Sequence, residues 1–154
     1  DSLGTGSGAI GITIKKIHPN LRVDLIDKYS KVLRTTKKNV VRFNNSHKLI
    51  RSNLLKNSAN DYDVILANLP YVPLKININM DAKHEPRTSI FSGEDGLNHY
   101  REMYSQISKL KIKPLYLILE YLEMSNNDMS RLSRDNNYME INHSGLVHTF
   151  ELIR

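Results

Sequence analysis

The 154-residue sequence has no cysteine, which excludes disulfide bridges and thiolate metal ligands alike. No apolar run approaches the roughly 20 residues of a membrane-spanning helix, and no secretory signal is visible. A cytoplasmic protein with no membrane partner is therefore expected. A compact run of five or six basic residues is also missing, although Lys and Arg number 22 against 16 Asp and Glu, for a formal charge of +6. The cations fall in pairs such as Lys15-Lys16 and Lys37-Lys38, so the basicity is compatible with a nucleic-acid partner without specifying one. His18, His47, His84, His99, His143 and His148 form no metal-ligand spacing with neighbouring carboxylates, and no metal is expected. Internal repeats and low-complexity tracts are absent.

What is there is an ordinary globular composition, 40% apolar and 25% charged, and a length that fits one domain over residues 1–154. Periodicity places a helix over Ser7–Ile17, closed by His18-Pro19-Asn20, and a short strand over Arg22–Asp27. A helix capped by Ser30 runs to about Phe43. His47–Ser52 and Asp63–Ala67 read as two more strands, the second fully buried. Leu97, Tyr100, Met103, Tyr104, Ile107 and Leu110 mark one face of a helix. Leu115–Leu119 forms another strand, Met124 to about Arg134 a polar helix, and Tyr138–Ile141 with His148–Ile153 a closing hairpin around Ser144-Gly145. Alternating strands and helices predict an α/β sandwich with a mostly parallel sheet. No strand precedes the glycine turn near Asp1, so the first strand of such a sheet is expected to be missing.

Gly4-Thr5-Gly6-Ser7-Gly8 opens the first helix. Glycines allow a tight turn and a close approach of backbone to ligand, and a helix N-terminus offers free N–H groups. Asp27 ends the next strand, where a carboxylate can accept hydrogen bonds from ribose hydroxyls; a surface Asp capping the following helix is the alternative. Turn and acid together point to an adenosine-containing ligand, either a nicotinamide cofactor or S-adenosylmethionine.

Asn68-Leu69-Pro70-Tyr71 separates these two. Hydride transfer does not need it, whereas methylation of a planar nitrogen does. The lone pair of an amide or exocyclic amine is delocalised, and two acceptors on its N–H bonds favour the geometry that aims it at a methyl group. The Asn68 side-chain oxygen and the Leu69 carbonyl can be those acceptors, with Tyr71 stacking on the planar group. The segment from Val72 to about Glu94 has no period and reads as a mobile substrate loop.

At "DSLGTGSGAIGI" (1–12), "ANLPYVP" (67–73) and "HEPRTSIFSGEDGLNHYREM" (84–103), the chain resembles the HemK/PrmC family of release-factor glutamine methyltransferases. The resemblance implies a class I S-adenosylmethionine-dependent methyltransferase fold (Rossmann-like), with an antiparallel C-terminal hairpin, cut off from the family's N-terminal helical domain. It implies that Gly4, Thr5, Gly6, Ser7, Gly8, Asp27, Asn53 and Asn68 bind S-adenosylmethionine. Asn68, Leu69, Pro70 and Tyr71 would form the catalytic motif, and a substrate loop would carry Glu85 and Pro86. The implied substrate is the glutamine of the Gly-Gly-Gln motif of a peptide chain release factor. The chain departs from the family at Ser2 and Asn53, where acids are usual, at Leu69 in place of Pro, and around Lys113-Pro114 in place of a glycine pair. Asn68-Leu69-Pro70-Tyr71 alone also resembles rRNA adenine dimethyltransferases. A nucleic-acid adenine N6-methyltransferase and a non-catalytic binding relative stay open.

Overall fold

Among the described residues, short β-branched and aliphatic runs make seven strands, and the amphipathic segments between them make four α-helices. A computed structural model describes residues 2–44, 46–58, 61–73 and 92–153. In chain order the elements are β1 (Ser2–Leu3), α1 (Ala9–Ile17), β2 (Asp24–Asp27), α2 (Ser30–Arg42), β3 (Lys48–Arg51), β4 (Val64–Ala67), α3 (Asn98–Ile107), β5 (Tyr116–Glu120), α4 (Asn126–Asp135), β6 (Tyr138–Ser144) and β7 (Val147–Leu152). A 3-10 turn over Glu123–Ser125 leads into α4.

The strands form one sheet in the order β3-β2-β1-β4-β5-β7-β6. All pairs from β3 to β5 are parallel; β7 is antiparallel to both β5 and β6. The order reverses at β1, and ligands in such sheets bind outside the strand carboxyl ends at the reversal. One face packs its core against α3 and α4, through Leu3, Ile26, Ile65, Leu117, Phe150, Tyr100, Met103, Tyr104 and Met129. On the other face a smaller cluster of Ile12, Val23, Leu25 and Val40 seats α1 and α2. No helix among the described residues is long and apolar enough to cross a membrane.

Four sequence expectations change. Ser2–Leu3 does form a strand, at the centre of the sheet and paired on both sides. Two residues are too short to show a hydrophobic period, so the sequence carried no sign of it. Ser30 is the first helical residue rather than a cap; the Tyr29 N–H is taken by Asp27 Oδ1 at 2.9 Å. In β4 only Ile65 and Ala67 are buried, with Val64 and Leu66 half-buried, because the core of β4 packs on one face. The hairpin strands are longer than expected, since the turn closes on Ser144 to Val147 with Gly145 at φ 57°. Most of the expected substrate loop, including Glu85 and Pro86, lies outside the described residues.

Candidate active site

The turn after β1 is built by three glycines with left-handed φ of 63°, 55° and 85° at Gly4, Gly6 and Gly8, a region that side-chain-bearing residues avoid. Its shape is pinned from below. Thr36 Oγ1 on α2 donates to Gly6 O at 2.8 Å, and Asn39 Nδ2 to Ser7 O at 2.8 Å. Asp27 is buried, and its Oδ2 accepts the Gly6 N–H at 3.4 Å. The carboxylate therefore ties the strand end to the turn.

These elements wall a cavity of 480 Å³, within the range of small-molecule sites. Gly4, Thr5, Gly6 and Ser7 form one wall. Asp27 and Asn53 form the next, and Asn68, Leu69 and Pro70 the far wall. The sequence had singled out all of these. The Thr5 hydroxyl is buried without a hydrogen-bond partner among the described residues, which suits a cavity that receives a polar ligand. Gly8 and Tyr71 are outside the wall. Gly8 instead lets α1 close on α2: a Cβ there would lie 2.8 Å from Thr36 Cγ2. Wall residues that the sequence did not flag include Ile10, Tyr29, Val32 and His99. Tyr29 and Val32 lie two and five positions after Asp27, so their nearness to the acid in the chain was the available signal. His99 holds Ser92 Oγ at 2.6 Å through Nδ1. Burial, and then the charge of Lys28, push its pKa below the usual value.

The far wall depends on a residue with no motif signal. Glu120, the last residue of β5, accepts from Asn68 Nδ2 at 3.0 Å through Oε2 and from the Tyr71 hydroxyl at 3.0 Å through Oε1. A carboxylate only accepts, so the Asn68 amide must present its nitrogen to Glu120 and turn its oxygen away. Tyr71 is thus held to β5, and burial followed by Glu120 raises its pKa. Tyr100 completes the frame. Its hydroxyl donates to the Glu120 carbonyl and is bonded by the Leu69 backbone, and burial pushes its pKa far up.

Gly96, within the 84–103 segment, acts on the same wall. At φ 82° it lies against Tyr71, and a Cβ there would stand 2.2 Å from the Tyr71 carbonyl oxygen. Ser92 N donates to Val72 O at 3.0 Å. The chain leaving Tyr71 and the chain entering α3 are therefore joined beside the far wall.

The methyltransferase small domain family model matches residues 2–85. A release factor glutamine methyltransferase from Bacillus cereus is 28% identical over 136 residues, covering 84% of this chain and 48% of the relative. Another from Coxiella burnetii is 27% identical over 145 residues, covering 90% and 51%. The chain thus spans about half the length of the curated relatives it matches. Among solved structures, a ribosomal protein L11 methylase from Lactobacillus delbrueckii superposes with a TM-score of 0.68 at 14% identity, over 99% of this chain and 68% of that one. A magnesium protoporphyrin IX methyltransferase from Synechocystis, solved with bound S-adenosylmethionine, gives 0.62 at 14% identity over 98% and 68%.

Proposed function

Since the chain belongs to the methyltransferase small domain family, in its HemK/PrmC branch, we propose that it moves a methyl group from S-adenosylmethionine to the side-chain amide nitrogen of a protein glutamine, that of the Gly-Gly-Gln motif of a peptide chain release factor. The observation that carries this reading is the Asn68 amide, turned by Glu120 so that its oxygen is an acceptor at the cavity wall.

S-adenosylmethionine supplies an electrophilic methyl group on a sulfonium centre. The chain's own residues bind and orient. The Gly4–Ser7 turn offers backbone N–H groups, Asp27 a carboxylate for ribose hydroxyls, and Asn53 an amide for the adenine edge. Asn68 Oδ1 and the Leu69 carbonyl accept the two N–H bonds of the target amide and hold its lone pair toward the methyl group. Asn68 does not titrate, so the nitrogen's surplus proton passes to water after transfer. The rate gain comes from positioning.

The experiment is transfer of labelled methyl to a release factor, with a control in which the Gly-Gly-Gln glutamine is replaced. Wild type labels only the intact motif. Asn68→Ala loses transfer while cofactor affinity, read by calorimetry, changes less than about twofold, because an interaction made only with the target amide acts on rate. Near-wild-type transfer by Asn68→Ala would overturn the mechanism.

A second reading, methylation of adenine N6 in nucleic acid, is favoured by one observation. Lys31, Arg34, Lys38 and Arg42 are all exposed on α2 and follow each other at helical spacing, a cationic stripe of about 16 Å. The stripe begins next to Lys28 and Tyr29 of the cavity wall. Labelling of RNA in preference to the release factor would move the assignment there.

A further inference from the structure

The β6–β7 hairpin brings together three ligating side chains that the sequence spacing had kept apart. His143 and His148 are direct cross-strand partners. Glu140 is three residues before His143, and in a regular strand an odd offset puts two side chains on opposite faces. The register shifts between Glu140 and Asn142, which adds one residue to β6 and returns Glu140 to the face of both histidines. Glu140 Oε1 then lies 3.0 Å from His148 Nδ1 and 3.4 Å from His143 Nδ1. The three ligand atoms are all within 4.8 Å of one another.

Two donor atoms bound tetrahedrally at zinc distances stand roughly 3.3 Å apart, so both separations already suit neighbouring ligands of one ion. His148 is 2% exposed and its ring stacks on Tyr121, centroids 4.2 Å apart. One ligand is therefore fixed in advance, while His143, with a side chain 66% exposed, leaves a path for entry. Two imidazoles and one carboxylate suit a borderline divalent ion and offer too few oxygens for Mg²⁺ or Ca²⁺. We propose that Glu140, His143 and His148 form a binding site for a divalent transition-metal ion of the zinc class, with water in the fourth position. On binding, His148 exchanges its Nδ1–H···Oε1 hydrogen bond for a bond to the ion and carries its proton on Nε2. The ion would tie β6 to β7, and its ligand His148 stacks on Tyr121, the residue after Glu120.

The test is calorimetric titration of the untagged chain with ZnCl₂ and, separately, MgCl₂, with the histidine side-chain NMR resonances followed in parallel. Expected are one saturable Zn²⁺ equivalent, shifts at His143 and His148 before His18 or His47, and no response to Mg²⁺. His143→Ala removes an exposed ligand and leaves the fold intact. It should weaken Zn²⁺ binding by about tenfold or more, since loss of an outer-shell partner alone typically costs that much. Glu140→Gln should weaken it too. Absence of saturable Zn²⁺ binding, equal affinity in His143→Ala, or shifts confined to other histidines would each overturn the site.

Discussion

Glu120 decides which end of the Asn68 amide meets the cavity, although the two are 52 positions apart in the chain. Glu120→Ala frees that amide to rotate and releases Tyr71. The expected result is a fall in methyl-transfer kcat of about 10²-fold, the scale of a small misplacement of a positioning group, with cofactor affinity unchanged within about twofold. Steady-state kinetics with a cofactor titration separate the two effects; a change confined to cofactor affinity would remove Glu120 from this role. Gly96 acts on the same wall through sterics. Gly96→Ala sets a Cβ against the Tyr71 carbonyl at a left-handed φ, and should cost about 1–3 kcal/mol in denaturant unfolding together with most of the transfer activity. The glycine turn was legible from its own run of glycines at the start of a helix pattern, and Asp27, Asn53 and Asn68 because each sits where a strand pattern ends. Glu120 was not, since a lone acid at a strand end has no distinguishing neighbour and its work depends on long-range pairing.

Elements were legible where their period is long. α3 was readable from six apolar positions, and four of them, Tyr100, Met103, Tyr104 and Ile107, are its buried residues. The hairpin strands were readable but not their register, because a bulge is a property of the pairing and not of either strand. That is why Glu140 and the two histidines looked unrelated. The start of α3 offers a pH test. Asp95 Oδ1 accepts from the Leu97 N–H at 3.1 Å, and its carboxylate is paired with Arg101. The Arg101 hydrogen bond outweighs burial and holds the Asp95 pKa at about 2, below the ordinary value of about 3.9. A depressed carboxyl stabilises the fold above its unfolded pKa, and that contribution disappears as pH falls from about 4 through 2. Both partners are more than a third exposed, so the gain is held to about 1 kcal/mol or less. Asp95→Asn should therefore unfold slightly earlier than wild type at pH 7, with the gap closing as pH falls through about 2. A stability gap that does not change with pH would assign the effect to capping alone.

At the scale of the molecule, charge is divided unevenly along the chain. Residues 1–60 hold 12 Lys and Arg against three acids, and residues 61–154 hold 10 against 13. Two of the three N-terminal acids, Asp24 and Asp27, are buried, so the surface of that half is almost purely cationic. A single-stranded RNA should bind it weakly and lose affinity steeply with salt. Charge reversal at Lys31, Arg34 and Lys38 together should flatten that salt slope in fluorescence anisotropy, and an unchanged slope would dissociate α2 from polyanion binding. The place of β1 between β2 and β4 has a mechanical consequence. Ser2 and Leu3 pair with Leu25 and Ile26 of β2 on one side and with Leu66 and Ala67 of β4 on the other, so β1 is the seam between the β3–β2 pair and the β4–β5–β7–β6 group. The Gly4–Ser7 turn and Asp27 rest on one side of that seam and Asn68 on the other. A ligand in the cavity would bridge them as a rivet does, and saturating it should stabilise the native state by mass action. Amide exchange at Leu25, Ile26, Leu66 and Ala67 is where that stiffening should be strongest, ahead of the hairpin at the far edge of the sheet.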